Sequence, residues 1–202
     1  MSVPFPKDVH PESLSRLPLR KREDMDEQGQ RFYDAVVGPT SRTLVGLRGP
    51  SGIWLHSPVL GERMRAVNQY LRFEAPLGRR LTELAILVTA RELANQFEWT
   101  AHEPAALAEG LSQDIIDVVK YERPAVGLGP EESVIIAFGR EVFGDKKVRS
   151  ETFAQAVELF GYEGVVNLAA LMGNYTATAI MFNAVDQHLH PERTSPLPLP
   201  SH

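Results

Sequence analysis

The sequence contains no cysteine. That absence removes disulfides, thiolate nucleophiles and Cys-ligated zinc or iron–sulfur centres together. There is no long run of Lys and Arg either, and the formal net charge is −5, so nothing forms an electrostatic footprint for a polyanion and nucleic acid is not an expected partner. Residues 1–18 lack the apolar core of a secretory signal and are interrupted by Pro4, Pro6, Pro11 and Pro18. The most apolar long segment, 165–185, carries Asn167, Asn174, Tyr175 and Asn183, whereas a membrane span needs about 20 mainly apolar residues. It reads as a buried core helix, and the expectation is a cytoplasmic protein with no membrane partner. Nucleophile elbows, phosphate-cradling glycine loops and dinucleotide fingerprints are also missing.

What is present is a chain of 202 residues, 43% of them hydrophobic, enough to bury a real core. Its ends are proline-rich: an N-terminal arm over 1–23 and a tail over 190–202 with Pro191, Pro196, Pro198 and Pro200. Both read as extended arms, of the kind that stay disordered or wrap a neighbouring subunit. Between them, over 24–189, apolar residues recur at spacings of three and four with helical start and stop signals, which predicts an all-α domain. A first helix is expected near 24–37, ended by Gly38-Pro39. A long loop follows over 40–57, with Gly46, Gly49, Pro50, Gly52, Trp54 and His56. Ser57-Pro58 starts a helix to about 71. The next, 78–94, is apolar on nearly every face and is therefore central. Further helices are expected over 97–109, closed by Gly110, in a short stretch capped by Ser112, over 130–143, over 150–160 behind Ser150, and over 162–185.

Charge inside the central helix needs a partner. Glu83 has Arg79 and Arg80 one turn before it, and a buried carboxylate is costly unless matched. Two readings stand: a structural salt bridge to Arg79 or Arg80, or a carboxylate of tuned pKa that orients a histidine. On the following helix Glu98 and His102 are four residues apart and so share a face, continued by the small Ala105 and Ala106, which leave room for a ligand. Phe97 and Trp99 surround the pair. Pro104 removes one backbone hydrogen bond beside it.

The segments Arg80-Leu-Thr-Glu83-Leu-Ala-Ile-Leu and Asn95-Gln-Phe-Glu98-Trp-Thr-Ala-His102-Glu-Pro, then Ala106 and Gly110-Leu-Ser112, resemble the carboxymuconolactone decarboxylase family, which includes the AhpD-like alkylhydroperoxidases. The resemblance implies an AhpD-like helical bundle that assembles as a homo-oligomer, a trimer or hexamer. In the peroxidases the motif holds a glutamate, two cysteines spaced Cys-x-x-Cys, and a histidine. Glu83 matches the glutamate and His102 the histidine, while the cysteine positions fall on Asn95 and Glu98. Without a thiolate no peroxide is attacked, so thiol peroxidase chemistry is not expected.

What the resemblance leaves is the cysteine-free branch, which decarboxylates a carboxylated lactone of aromatic catabolism with relocation of a double bond and uses no cofactor. On that expectation the chain is a lyase or isomerase of a small carboxylated metabolite. His102 is the proton donor or shuttle, Glu98 its partner and Glu83 a support. Arg79 or Arg80 holds a substrate carboxylate, and Asn95 and Trp99 line the site. His56, Trp54 and Arg48 are candidates for a lid, and their loop equally for a subunit contact. The alternative class is a non-catalytic helical oligomer that binds a small molecule or a protein.

Other polar groups are weaker candidates. His188 and His190, with His10 and His202 elsewhere, lack acidic companions at ligand spacing and read as surface histidines, so no metal is expected. Asn174, Tyr175 and Asn183 line a pocket or satisfy hydrogen bonds between helices, the second being favoured.

Overall fold

A computed structural model describes residues 5–193 and 197–198. Pro4, Pro196, Pro200 and His202 of the proline-rich ends lie outside the described residues. The described chain is helical, with one isolated antiparallel bridge, His10 to Ser15. It divides into two compact units: Met1–Val67 with Ile180–Glu192, and Asn68–Ala179 with Arg193–His202.

In the first unit a 3-10 turn (Arg22–Asp24) precedes α1, Glu27–Val37. Asp26 caps α1 by accepting from the Gly29 amide at 2.8 Å, satisfying a donor that the helix itself leaves free. Phe32 and Val36 then form a small core with Met25 and Leu55. The expected loop over 40–57 is a correction: it contains a short helix, α2 (Pro50–Trp54), with proline in its first turn. Proline is pre-organised there because its missing N–H has no helical partner to lose. Gly52 permits the turn, since a Cβ on it would collide with the Leu47 carbonyl. α3, Pro58–Phe73, runs on from α2 and crosses into the second unit. Towards the N-terminus Val9 and Leu14 are buried. The Arg16 amide donates to the Val185 carbonyl, and the His188 amide to that of Leu14, each at 2.8 Å.

In the second unit α4 (Arg79–Glu92) is the central element, packed against α5 (Gln96–Ala108), α6 (Gln113–Lys120) and α7 (Pro130–Arg140). Every residue from Leu81 to Arg91 is buried, as a helix apolar all round requires. Gly139 lets α7 approach, because a Cβ there would overlap Val88. α7 was expected to continue through Phe143; regular α-helix stops at Arg140 and a π-helical turn, Glu141–Asp145, takes over.

α8, Ser150–Val185, is broken at Gly161 (φ 67°) into the two stretches expected, 150–160 and 162–185. Among the described residues α8 is the one helix long and apolar enough, by length and composition, to cross a membrane, and half of its most apolar window is buried. Val165, Leu168, Leu171, Met172 and Tyr175 face the core, whereas Tyr162 and Val166 are exposed. The tail residue Leu197 is buried in the same core, held by both halves of the Gln96 side-chain amide.

Candidate functional site

The end of α4 and the start of α5 are joined by Leu93, by Ala94 in a left-handed conformation (φ 50°), and by Asn95. Asn95 caps α5: its Oδ1 accepts from the Glu98 amide at 3.1 Å. That cap places Glu98 in the first turn and His102 one turn later, both turned into the unit. Glu98 is 4% exposed, His102 3% and Glu83 0%. Three titratable side chains are thus enclosed together.

Their contacts are specific. His102 Nδ1 lies 2.6 Å from Glu83 Oε2, and Nε2 lies 3.2 Å from Glu98 Oε2. Tyr175, from α8, sets its hydroxyl 3.3 Å from the same Nε2. The other oxygen of Glu83 accepts from Arg72 at 3.0 Å and from Arg79 at 3.1 Å. Arg79 also bridges to Glu109 and donates to the Arg72 carbonyl, with Phe73 beneath both guanidinium groups.

Burial pushes the Glu83 carboxyl up, but the hydrogen bond and charge of His102 and the Arg72 guanidinium outweigh it and hold it at about 2. For His102 burial acts downward, and the bonds to Glu83 and Glu98 raise the imidazole above its ordinary value. Burial first, then the neighbouring carboxylates, raise the Tyr175 phenol, which stays neutral. The two carboxyl groups thus favour the protonated form of His102, and a neutral hydroxyl lies beside one of its nitrogens. Such an imidazole can accept and release a proton.

Of the residues expected at the site, Glu83, Glu98, His102 and Arg79 come together. Arg80 does not: it turns to Glu131 and Glu132 on α7, because one residue of helix rotation carries it off the Glu83 face. Trp99 is a core residue with 0% exposure, its indole N–H donating to Glu103 at 3.0 Å. Asn95 spends its carbonyl oxygen on the helix cap. Trp54 and His56 find partners within the first unit, Trp54 against the Phe32 cluster and His56 Nε2 2.9 Å from the Pro18 carbonyl.

His190 is a further correction, being 8% exposed rather than a surface residue, with Nε2 3.0 Å from the Arg48 carbonyl. Among the described residues no group of three or more His, Asp or Glu is arranged to hold a metal ion. Sequence reasoning missed Arg72 altogether and read Tyr175 as a helix-contact residue. A buried phenol within an apolar helix was the one available signal.

No protein-family model matches the chain, and no curated protein matches it. Among solved structures, an alkylhydroperoxidase AhpD core, described as an uncharacterized peroxidase-related protein from Ralstonia eutropha JMP134, superposes with a TM-score of 0.69. It is 18% identical, over 91% of this chain and 95% of that one. The chain has an AhpD-like fold. At that identity the likeness extends to the fold alone, and the finer resemblance to carboxymuconolactone decarboxylases rests on the sequence motif.

Proposed function

We propose that the chain is a cofactor-independent acid–base lyase or isomerase of a small carboxylated metabolite, of the carboxymuconolactone decarboxylase kind. One observation carries the reading: a buried histidine held at 2.6 Å by one carboxylate and at 3.2 Å by a second. Fixing one ring nitrogen sets the tautomer, and a dry site strengthens each charge interaction. In the reaction, the C–C bond to the substrate carboxylate breaks and carbon dioxide leaves. The electron pair spreads onto the conjugated carbonyl, the double bond moves, and one proton, replaced from water, is delivered to carbon. Arg79 is the cation assigned in this reading to meet an incoming carboxylate, and its 28% exposure supports that role. The exposed Tyr162 and Val166 of α8 support the expectation of a homo-oligomer.

The near-complete closure of the cluster also suits a non-catalytic oligomer, and one experiment separates the two. Purified protein is given carboxymuconolactone, and carbon dioxide release is followed for wild type and His102→Gln. Turnover that falls by about 100-fold in the variant, with its helical circular dichroism retained, supports the reading. Equal activity in both removes His102 from it, and no turnover by wild type removes the decarboxylase reading.

A further inference from the structure

His102 has no ring nitrogen left for a substrate. Nδ1 is taken by Glu83, while Nε2 faces both Glu98 Oε2 and the Tyr175 hydroxyl. The Tyr175 ring closes the remaining edge, packed at 85° with centroids 5.1 Å apart. Glu98 is different. Its Oε1 is buried and has no hydrogen-bond partner, on a side chain 6% exposed. Arg72 Nε, on a side chain 6% exposed, is likewise buried and unpartnered, although Nη2 of the same guanidinium is bonded to Glu83. An acceptor and a cationic donor, both unsatisfied inside one cluster, are the two groups needed to grip an oxyanion and exchange a proton beside it.

We infer that the Glu98 carboxyl gives the proton to the substrate carbon from the place its unpartnered oxygen now occupies, that His102 and Tyr175 are positioning residues that recharge it through Oε2, and that Arg72 Nε–H holds the substrate's oxyanion. This assignment rests on the acid–base reading above and narrows the substrate to a carbon acid whose anion is an enolate or dienolate. The proton passes from His102 Nε2 to Glu98 Oε2, and the carboxyl turns about its Cγ–Cδ bond to present it. The electron pair left by the departing carbon dioxide takes that proton, forming the C–H bond. Tyr175 donates its O–H to the freed Nε2, and the neutral ring regains a proton from water. The groups facing His102 throughout are Glu83 from α4, Glu98 from α5, Tyr175 from α8 and the charge of Arg72 from α3.

The test compares pH profiles on carboxymuconolactone. E98Q is expected to be down about 1000-fold at every pH. H102Q is expected to recover towards low pH, to within about tenfold of wild type, because hydronium then supplies the proton that His102 no longer relays. Y175F removes the donor that favours neutral His102, so the alkaline limb of kcat moves to higher pH, which loss of packing alone would not do. An E98Q enzyme within about tenfold of wild type, or an H102Q enzyme as inactive as E98Q in acid, overturns the assignment.

If wild type does not act on carboxymuconolactone, the decarboxylase reading fails while this one is still decided by labelling the unmodified chain. A small diazoacetamide, which esterifies carboxyl groups, is expected to mark Glu98 and not Glu83 in peptide mass spectra. A label on Glu83, or none within the cluster, overturns it.

Discussion

Among the carboxylates that the second unit buries, Glu141 and Glu98 are of opposite character. Glu141, 3% exposed, accepts from the Arg149 amide at 2.8 Å, from Arg149 Nε at 2.8 Å and from the Thr152 hydroxyl at 2.7 Å. Both its oxygens are used, and they tie the π-helical turn to the start of α8. Burial would raise its carboxyl, but the bonds from the Arg149 backbone, Thr152 and Arg149 side chain outweigh it and hold the group lowered. Glu98 is as deeply placed, yet one oxygen contacts His102 and the other has no partner. A fold does not benefit from a buried unsatisfied oxygen. The contrast separates a carboxylate that holds the chain together from one that is held by it.

Several substitutions break or sharpen that contrast. Glu83→Ala has the largest effect, because it strands Arg72 and His102 in a dry interior and takes one partner from Arg79. A loss of about 3–5 kcal/mol is expected, read from urea unfolding followed by circular dichroism. The pH dependence comes next. With its pKa held at about 2, Glu83 contributes stability that is complete above its ordinary 4.5 and lost as the pH falls from there through 2. His102 has the opposite sign: raised above 6.5, it contributes stability complete below that value and lost as the pH rises through its folded one. Unfolding midpoints against pH should therefore fall on both sides, and H102Q should flatten the alkaline side. Asn95→Ala removes a helix cap and should lower stability by about 1 kcal/mol, visible as a shifted urea midpoint.

How much of this was legible in the chain follows from distance along it. The α4 helix was plain because its apolar residues leave no polar face, and a charge at Glu83 within it demanded a partner. The Glu98 and His102 contact follows from four-residue spacing on one helix. Arg72 and Tyr175 were not legible, since they enter from α3 and α8, 11 residues from Glu83 and 73 from His102, where helical spacing says nothing. Arg80 was misread for the same reason: its partner Glu132 is 52 residues away. α2 was hidden by Gly49, Pro50 and Gly52, a composition that marks loops unless the proline opens a helix and the glycine admits a neighbouring carbonyl.

The most direct test of the account sets Glu98→Gln beside Glu141→Gln in thermal unfolding at neutral pH. Glu141→Gln is expected to lose about 1–3 kcal/mol, with Tm falling by about 2–4 °C for each kcal/mol. Glu98→Gln should lose clearly less, about 0.5–1 kcal/mol, because only its single contact with His102 is weakened. Equal losses in the two variants would contradict it, making Glu98 as much a structural carboxylate as Glu141.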